Sequence, residues 1–196
     1  MCCGRGGWTA GFLAAGWEVI GVDIRRHKGY PAPLLVSDIL TINGTALGGP
    51  DFIVASPPCQ EFSKYDAPGL FPDYAVPSTE LVEACFALAR RLAVPICLEN
   101  VRGLQKVIGQ AVQHYGPFYL WGDGVPPLMP HTPGRSGRHA FKGMPRWKRD
   151  GLEIARQPKH RNPARRAVIP FELAYHVALC AGRIVEIRRA ERPAVL

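Results

Sequence analysis

The residue of this sequence best suited to nucleophilic chemistry is a cysteine in a rigid turn. Cys59 follows two consecutive prolines in SPPCQEFS, residues 56–63. The prolines fix the backbone and hold the side chain at the end of an apolar segment. A cysteine attacks as its thiolate, which requires a polar or electropositive setting. The alternative is that Cys59 is a small buried apolar residue, the commonest fate of cysteine.

A carboxyl group follows another apolar segment. Glu99 lies in LENV, residues 98–101, with Asn100 beside it. A partly desolvated carboxyl group there could have a raised pKa and donate a proton. The alternative is an ordinary ion-pair partner. The six histidines show no ligand or catalytic spacing, so a Cys-His hydrolase is poorly supported.

A glycine-rich loop near the N-terminus could hold a nucleotide-like ligand. The loop GRGG, residues 4–7, precedes a predicted helix. Glycine lets the backbone approach a ligand, and a helix N-terminus presents free N–H groups. Asp23 closes the next apolar segment, where a carboxylate suits a ribose diol. The loop could instead be a simple tight turn, and Asp38 could accept from an adenine amino group or cap a helix.

Positive charge is concentrated in one stretch. The chain has a formal net charge of +8, and residues 131–166 hold eleven Lys and Arg against two acidic residues. This stretch therefore supplies the whole excess. Lys and Arg displace counterions from nucleic-acid phosphates, so the pattern predicts nucleic-acid contact. A solvated basic loop without a partner is the alternative.

The elements that must position these groups follow from the apolar pattern. Short apolar strands alternate with helical stretches over the first 120 residues, which favours an α/β fold with a parallel sheet. The predicted strands are residues 17–23, 34–39, 51–56, 95–100 and 118–122. The predicted helices are residues 9–15, a helix that is capped by Ser78 or Thr79 and ends at about Leu92, and a helix from Phe171 to Ala181 or beyond. Ligands bind at the carboxyl ends of the strands of such sheets. Asp23, Cys59 and Glu99 all fall there.

Composition limits the class of protein. The 196 residues are 47% hydrophobic and 20% charged, which is typical of a globular protein and not of a disordered chain. No apolar run is long enough to span a bilayer, and no secretory leader is apparent. We therefore expect a cytoplasmic protein with reduced thiols. The six cysteines form no CxxC pair, so no structural metal site is expected.

Together these motifs resemble the cytosine-C5 DNA methyltransferase family. The resemblance is carried, in the family's order, by CCGRGGWTAGFLAAGWEVIGVDI at 2–24, PPCQ at 57–60 and ENV at 99–101. SDI at 37–39 resembles the family's short acidic motif, and RRAVIPFELAYHVA at 165–178 resembles its final motif more loosely. The resemblance implies a Rossmann-like S-adenosylmethionine-dependent methyltransferase fold, with a mostly parallel sheet and helices on both faces.

The resemblance also implies a donor and a mechanism. S-adenosylmethionine would be held by Asp23 at its ribose, Ile24 on adenine and Asp38 at the adenine amino group. The other implied cofactor contacts are Cys3, Gly4, Arg5, Gly6, Gly7, Ile39, Pro58 and Val168. The Cys59 thiolate would attack C6 of cytosine while protonated Glu99 engages N3, which makes C5 nucleophilic.

The implied partner is double-stranded DNA with the cytosine flipped out of the helix. The expected nucleic-acid contacts are Gln60, Ser63, Arg135, Arg138, Arg146, Lys148 and Arg149. The expected organisation is a catalytic core at 1–122, a basic, reduced target-recognition region at 123–164, and a C-terminal helix at 165–196 that returns to the core. We expect a monomer.

The sequence departs from the family's pattern in three places. The apolar strand expected before the glycine-rich loop is missing, because Met1 lies on the motif itself. We therefore expect codons upstream of Met1 to encode a Val/Ile/Leu-rich run ending in Asp-Leu. The Gln-x-Arg-x-Arg motif is absent, and the target-reading region is short. Two alternatives stay open: a catalytically inactive remnant that binds nucleic acid or cofactor, and an RNA cytosine-C5 methyltransferase.

Overall fold

The computed structural model describes residues 1–67, 69, 73, 75–130 and 168–191. The basic segment at 131–166 lies outside the described residues. The predicted DNA contacts Arg135, Arg138, Arg146, Lys148 and Arg149 lie outside them too.

The described chain alternates short strands and helices. The strands are β1 (Gly21–Asp23), β2 (Leu34–Val36), β3 (Ile53–Ala55), β4 (Ile96–Asn100), β5 (Gln113–Tyr115) and β6 (Phe118–Trp121). The helices are α1 (Gly7–Ala14), α2 (Gln60–Tyr65), α3 (Glu80–Leu92), α4 (Gln105–Ile108) and α5 (Phe171–Glu191), with 3₁₀ turns at Gly44–Leu47 and Arg102–Leu104. The predicted α/β class is confirmed.

The strands form two sheets whose first pairs are parallel. β1 pairs with β2 in one sheet, with Val22 opposite Leu35. The second sheet has the order β3-β4-β6-β5, in which β3 and β4 are parallel and the last two pairs are antiparallel. The parallel pairs bring the ends of β1, β3 and β4, which carry the candidate site residues, to one edge.

Residues 1–3 lie between the two sheets and bond to both. The Met1 ammonium donates to the Val54 carbonyl at 2.5 Å, and the Ser56 N–H donates to the Met1 carbonyl at 3.2 Å. On the other side, the Cys3 N–H donates to the Val22 carbonyl at 3.2 Å. These three residues occupy the place where a complete apolar strand was expected.

A groove continues from Met1 between the facing edges of the two sheets. Its volume is about 1080 Å³, and its lining includes Ile20 and Val22 on one edge and Phe52 and Val54 on the other. No backbone hydrogen bond joins Ile20 or Phe52 to a partner across this groove within the described chain. Residues 1–3 therefore bridge the two sheets by hydrogen bonds without forming a strand themselves.

Helices cover both faces of the second sheet, as expected. Successive residues of β4 point to opposite sides, since Ile96 and Leu98 pack with the buried face of α3, whereas Cys97 packs with α1 and α5. Helix α3 forms because its apolar residues recur at helical spacing, with Glu80 near its N-terminus. Thr79 flanks that helix but makes no side-chain cap, because its hydroxyl bonds to Glu83.

Two glycines of α1 allow it to pack closely on the C-terminal segment. A Cβ at Gly11 would lie 2.5 Å from Ala174 of α5, and a Cβ at Gly7 would lie 2.8 Å from the backbone nitrogen of Ile169. The α1–α5 contact therefore requires glycine at both positions. It also anchors the C-terminal helix on the core, as the predicted organisation assumes.

Several elements differ from the sequence prediction. The predicted strand at 17–23 is ordered as a strand only at Gly21–Asp23, because β2 pairs with it only from Gly21 onward. Strand β5 and the short helices α2 and α4 were not predicted. Helix α5 runs ten residues beyond the predicted minimum at Ala181. Among the described residues, no helix has the length and apolar character to cross a membrane.

Candidate active site

Cys59 lies at the N-terminus of α2, immediately after β3. Its side chain is partly exposed, in contrast to the buried thiols of Cys85 and Cys97. Its carbonyl accepts hydrogen bonds from the Ser63 N–H at 3.0 Å and the Ser63 hydroxyl at 3.1 Å. These bonds begin α2 and fix the backbone that carries the thiol.

Asn100 ties the proline turn to β4. Its Nδ2 donates to the Pro57 carbonyl at 3.1 Å, and its Oδ1 accepts from the Val101 N–H at 2.9 Å. The Asn100 side chain is fully buried. Pro57 lies two positions before Cys59, and Asn100 directly follows Glu99. This contact therefore holds together the two segments that carry the thiol and the carboxyl group.

A second contact fixes α2 against the segment after β4. Asp66 pairs with Arg102 and Lys106, each at 2.9 Å. Lys106 and Arg102 hold the pKa of the Asp66 carboxyl below its ordinary value. Beside this pair, a Cβ at Gly103 would lie 2.1 Å from the Phe62 carbonyl oxygen, so the backbones meet directly.

Glu99 is the buried acid of the site. Only 8% of its surface is exposed. Burial raises the pKa of Glu99 from 4.5 to about 7, against a hydrogen bond with the Ser56 side chain that acts to lower it. Among the described residues no ion pair involves Glu99. The burial and raised pKa of Glu99 therefore suit a proton donor, and no ion pair among the described residues supports the alternative.

The thiol is affected by the same carboxyl group. Burial, and then the charge of Glu99, raise the pKa of Cys59, and only a backbone hydrogen bond acts to lower it. The setting is therefore less electropositive than the sequence analysis required for a thiolate. Since ionised Glu99 disfavours the thiolate, neutral Glu99 favours it.

Asp23 forms the second part of the site, at the end of β1. Its carboxylate accepts from the Gly4 N–H at 2.9 Å and the Arg25 N–H at 3.0 Å, and it pairs with His27 at 3.2 Å. Burial acts to raise the pKa of Asp23, but these partners outweigh it and hold the pKa below its ordinary value. Asp23 thus stays ionised and is joined to the glycine-rich loop.

The loop residues divide into an open part and a packed part. Gly4 has a φ of +49°, and a Cβ there would meet no atom within 4 Å, so it faces open space; Arg5 is exposed. Gly6 has a φ of +83° and lies against Tyr30 and Pro31. Gly7 packs against Ile169, so the structure gives it a packing role. The Cys3 Sγ lies 4.0 Å from Oδ2 of Asp23.

The remaining predicted cofactor contacts have unequal access. Ile24 is 64% exposed, beside Asp23. Asp38 accepts from the Leu40 N–H at 2.9 Å in a tight turn, whereas the Ile39 side chain belongs to the core and is not available to a ligand. Pro58 is exposed, and Val168 directly precedes the Ile169 that contacts Gly7.

Two predicted nucleic-acid contacts lie on α2. Gln60 and Ser63 are both exposed. The Ser63 hydroxyl already donates within the helix. The described part of the chain contains no cluster of three or more potential metal ligands.

Sequence reasoning assigned no role to Ser56, which bonds to the acid, or to Trp8, which bonds to Ser56. Trp8 donates its ring N–H to the Ser56 hydroxyl at 2.9 Å, and Ser56 bonds in turn to Glu99. These residues are 48 positions apart, so no local pattern joins them. The available sequence clue was a polar residue directly before the proline turn.

Comparison with known proteins gives a partial likeness. No protein-family model matches the chain, and no curated protein matches it. Among solved structures, the chain is similar to a mutant of Spodoptera frugiperda DNMT2, with 25% sequence identity and a TM-score of 0.37. The match covers 53% of this chain and 35% of that protein, so the chain spans about one third of its length.

Proposed function

We propose that this chain is an S-adenosylmethionine-dependent cytosine-C5 methyltransferase that acts on double-stranded DNA. The observation that carries the proposal is the pairing of Cys59 with Glu99. The thiol is accessible at the end of β3, and the acid is buried at the end of the neighbouring β4, with a pKa of about 7.

Cytosine C5 chemistry needs both groups. Attack of a thiolate on C6 breaks the aromaticity of the ring and pushes negative charge toward N3. A carboxylic acid at N3 absorbs that charge by donating its proton. A carboxyl group with an ordinary pKa is ionised at neutral pH, whereas Glu99 is about half protonated near pH 7.

One protonation state serves both residues. Neutral Glu99 is the form that can donate to the base. It is also the form that removes the negative charge acting on Cys59 and so favours the thiolate. We expect the rate of adduct formation to rise with pH up to about 7 and to level off above it, because the thiolate fraction of Cys59 keeps increasing while the protonated fraction of Glu99 falls.

The residues at the end of β1 fit the proposed cofactor. Open space above Gly4 allows a ligand to approach the backbone, and ionised Asp23 lies next to it. Ile24 offers an exposed apolar surface for a purine. When bound, S-adenosylmethionine supplies an electrophilic methyl group. The chain would hold its ribose through Asp23 and its adenine through Ile24.

The DNA partner is supported by the charge of the sequence. The basic segment at 131–166 holds eleven Lys and Arg, which suits contact with phosphates. Flipping a cytosine out of a duplex costs a few kcal/mol, which such contacts offset.

The test is covalent trapping. Duplex DNA containing 5-fluorocytosine and S-adenosylmethionine should convert the wild-type chain into a stable protein–DNA adduct, because the fluorine at C5 prevents release. Cys59→Ser should abolish the adduct. Cys180→Ser, which alters another partly buried thiol far along the chain, should retain it.

Comparing duplex DNA with single-stranded RNA as the trapping substrate separates the alternatives. Trapping on single-stranded RNA but not on duplex DNA would replace the DNA assignment by an RNA one. A folded wild-type chain that binds S-adenosylmethionine and forms no adduct on either substrate would contradict the enzymatic proposal and identify a binding protein.

A further inference from the structure

A chain of two hydrogen bonds connects the first helix to the buried acid. The Trp8 ring N–H, on α1, donates to the Ser56 hydroxyl at 2.9 Å. Ser56, just after β3, bonds to the Glu99 side chain at the end of β4. Trp8 is 5% exposed and Glu99 is 8% exposed, whereas Ser56 between them is partly exposed.

The direction of the first bond follows from the indole group, and that of the second from the charge of Glu99. An indole N–H can only donate, so the Ser56 oxygen must accept from Trp8. A carboxylate can only accept, so Ser56 donates its hydroxyl hydrogen to ionised Glu99, in line with its effect of lowering the pKa. One oxygen of ionised Glu99 is therefore an acceptor toward Ser56, which leaves the other oxygen to take up the proton.

We propose that Trp8 and Ser56 are positioning residues that orient the Glu99 carboxyl group, so that its proton lies on the oxygen directed away from Ser56 and toward the substrate base. This inference rests on the proposed function for the role of the proton. The hydrogen-bond chain itself can be tested without substrate.

The two bonds also influence how Glu99 titrates. A donated hydrogen bond stabilises the ionised carboxylate, so Ser56 counteracts part of the effect of burial on the pKa of Glu99. Among the described residues, the other titratable groups that interact with Glu99 are the thiols of Cys59 and Cys97, both with raised pKa. These thiols are neutral near pH 7, so the carboxyl group titrates beside uncharged neighbours.

Loss of either partner should have a distinct effect. Ser56→Ala removes the donor, so the ionised form of Glu99 loses its only side-chain hydrogen bond among the described residues. Trp8→Phe keeps an aromatic ring but frees Ser56 to rotate and accept the Glu99 proton. In that variant the proton can sit on the wrong oxygen, where it is withheld from the base.

The experiment measures the carboxyl titration of the full chain by ¹³C NMR, without ligand, with the Glu99 resonance identified by its loss in Glu99→Gln. We expect a midpoint near pH 7 in the wild type. Ser56→Ala should raise it by roughly one to two pH units, the equivalent of a hydrogen bond to a charged group. Trp8→Phe should raise it by less, and Ser56→Thr, which keeps a hydroxyl, should restore the wild-type value.

The matched control is Trp17→Phe. This substitution also removes a ring N–H hydrogen bond, but the partner of Trp17 is the Ala178 carbonyl on α5. The midpoint of the Glu99 titration in this variant should equal the wild-type value. Midpoints that are unchanged in both Ser56→Ala and Trp8→Phe, or shifted equally in Trp17→Phe, would overturn the inference.

Trapping kinetics test the catalytic half. In Ser56→Ala and Trp8→Phe, adduct formation should slow by roughly tenfold, with unchanged affinity for S-adenosylmethionine, and its pH profile should move with the NMR midpoint. Shifted midpoints with unchanged trapping rates would overturn the positioning role. A wild type that never traps would refute the proposed function while leaving the titration result standing.

Discussion

At the scale of single residues, Glu99 occupies a position where its ionisation opposes folding. Its pKa is about 7 in the folded chain against an ordinary 4.5, so the folded state holds the proton more tightly than the unfolded state. The contribution of Glu99 to stability is therefore most favourable below about pH 4.5. It declines as the pH rises and is lost above about pH 7.

Glu99→Gln should consequently stabilise the protein at alkaline pH. A pKa of about 7 in place of 4.5 corresponds to about 3 kcal/mol of unfavourable free energy once Glu99 is ionised. Urea unfolding at pH 8 should show the variant to be more stable by up to that amount. The difference between variant and wild type should shrink toward pH 4.5, and a difference independent of pH would contradict the burial argument.

Asp23 is the residue whose loss should affect cofactor affinity most. Its ionised carboxylate is directed by the Gly4 and Arg25 N–H groups and lies beside open space. Asp23→Ala should weaken S-adenosylmethionine binding by about tenfold to a hundredfold, the effect of losing a hydrogen bond to a charged group. Isothermal titration calorimetry measures this affinity. Asp51→Ala, an exposed carboxylate paired with Arg189, is the matched control and should bind normally.

At the scale of elements, the contact between α1 and α5 holds the glycine-rich loop on the core. The contact is close because Gly11 has no side chain where it meets Ala174. The glycine-rich loop leads into α1, and Trp8 lies on it, so the placement of this helix affects the proposed cofactor site and the acid together.

Gly11→Ala should destabilise the chain although alanine favours helices. The added Cβ would lie 2.5 Å from α5 backbone and Cβ atoms, and overpacking of this kind costs about 1–3 kcal/mol. Gly182→Ala is the control, because Gly182 lies within α5 and an added Cβ would meet nothing within 4 Å. That variant should gain about 0.5–1 kcal/mol. Thermal unfolding compares the two, and equal effects of the same sign would contradict the packing argument.

The sequence predicts elements whose pattern is local and misses those that depend on distant contacts. Helix α3 was predicted to end at Leu92 and does so, because its own apolar spacing and terminal charges specify it. The strand containing Asp23 was predicted too long, since its partner β2 pairs only with Gly21–Asp23. The order of motifs located Cys59 and Glu99. The contact of Trp8 with Ser56 required the folded chain, because 48 residues separate the two.

At the scale of the whole molecule, the two sheets are joined by the short bridge at residues 1–3. Ile20 and Phe52 face each other across the groove beyond Met1, with backbone groups that find no partner among the described residues. A few aliphatic side chains would bury there at about 1.5–3 kcal/mol each. Apolar side chains placed in this groove would therefore be expected to stabilise the fold.

Adding an apolar strand ahead of Met1 should raise stability substantially. Four residues of alternating valine and isoleucine would extend the bridge, and an amide N–H would replace the Met1 ammonium at the Val54 carbonyl. The urea midpoint should rise relative to the unextended chain, whereas a Gly-Ser extension of equal length should leave it nearly unchanged. Equal midpoints for the two extensions would show that the groove does not accept a strand.

The same bridge has a consequence for how samples of this protein behave. Among the described residues, the strand edges at Ile20 and Phe52 have backbone groups without a partner, and such edges pair with extended peptides, including those of another molecule. In place of the monomer expected from the sequence, we therefore expect self-association that grows with protein concentration, visible as a rising average mass in light scattering. An affinity tag fused ahead of Met1 would begin at the same groove, so we expect the sequence of the tag to alter solubility.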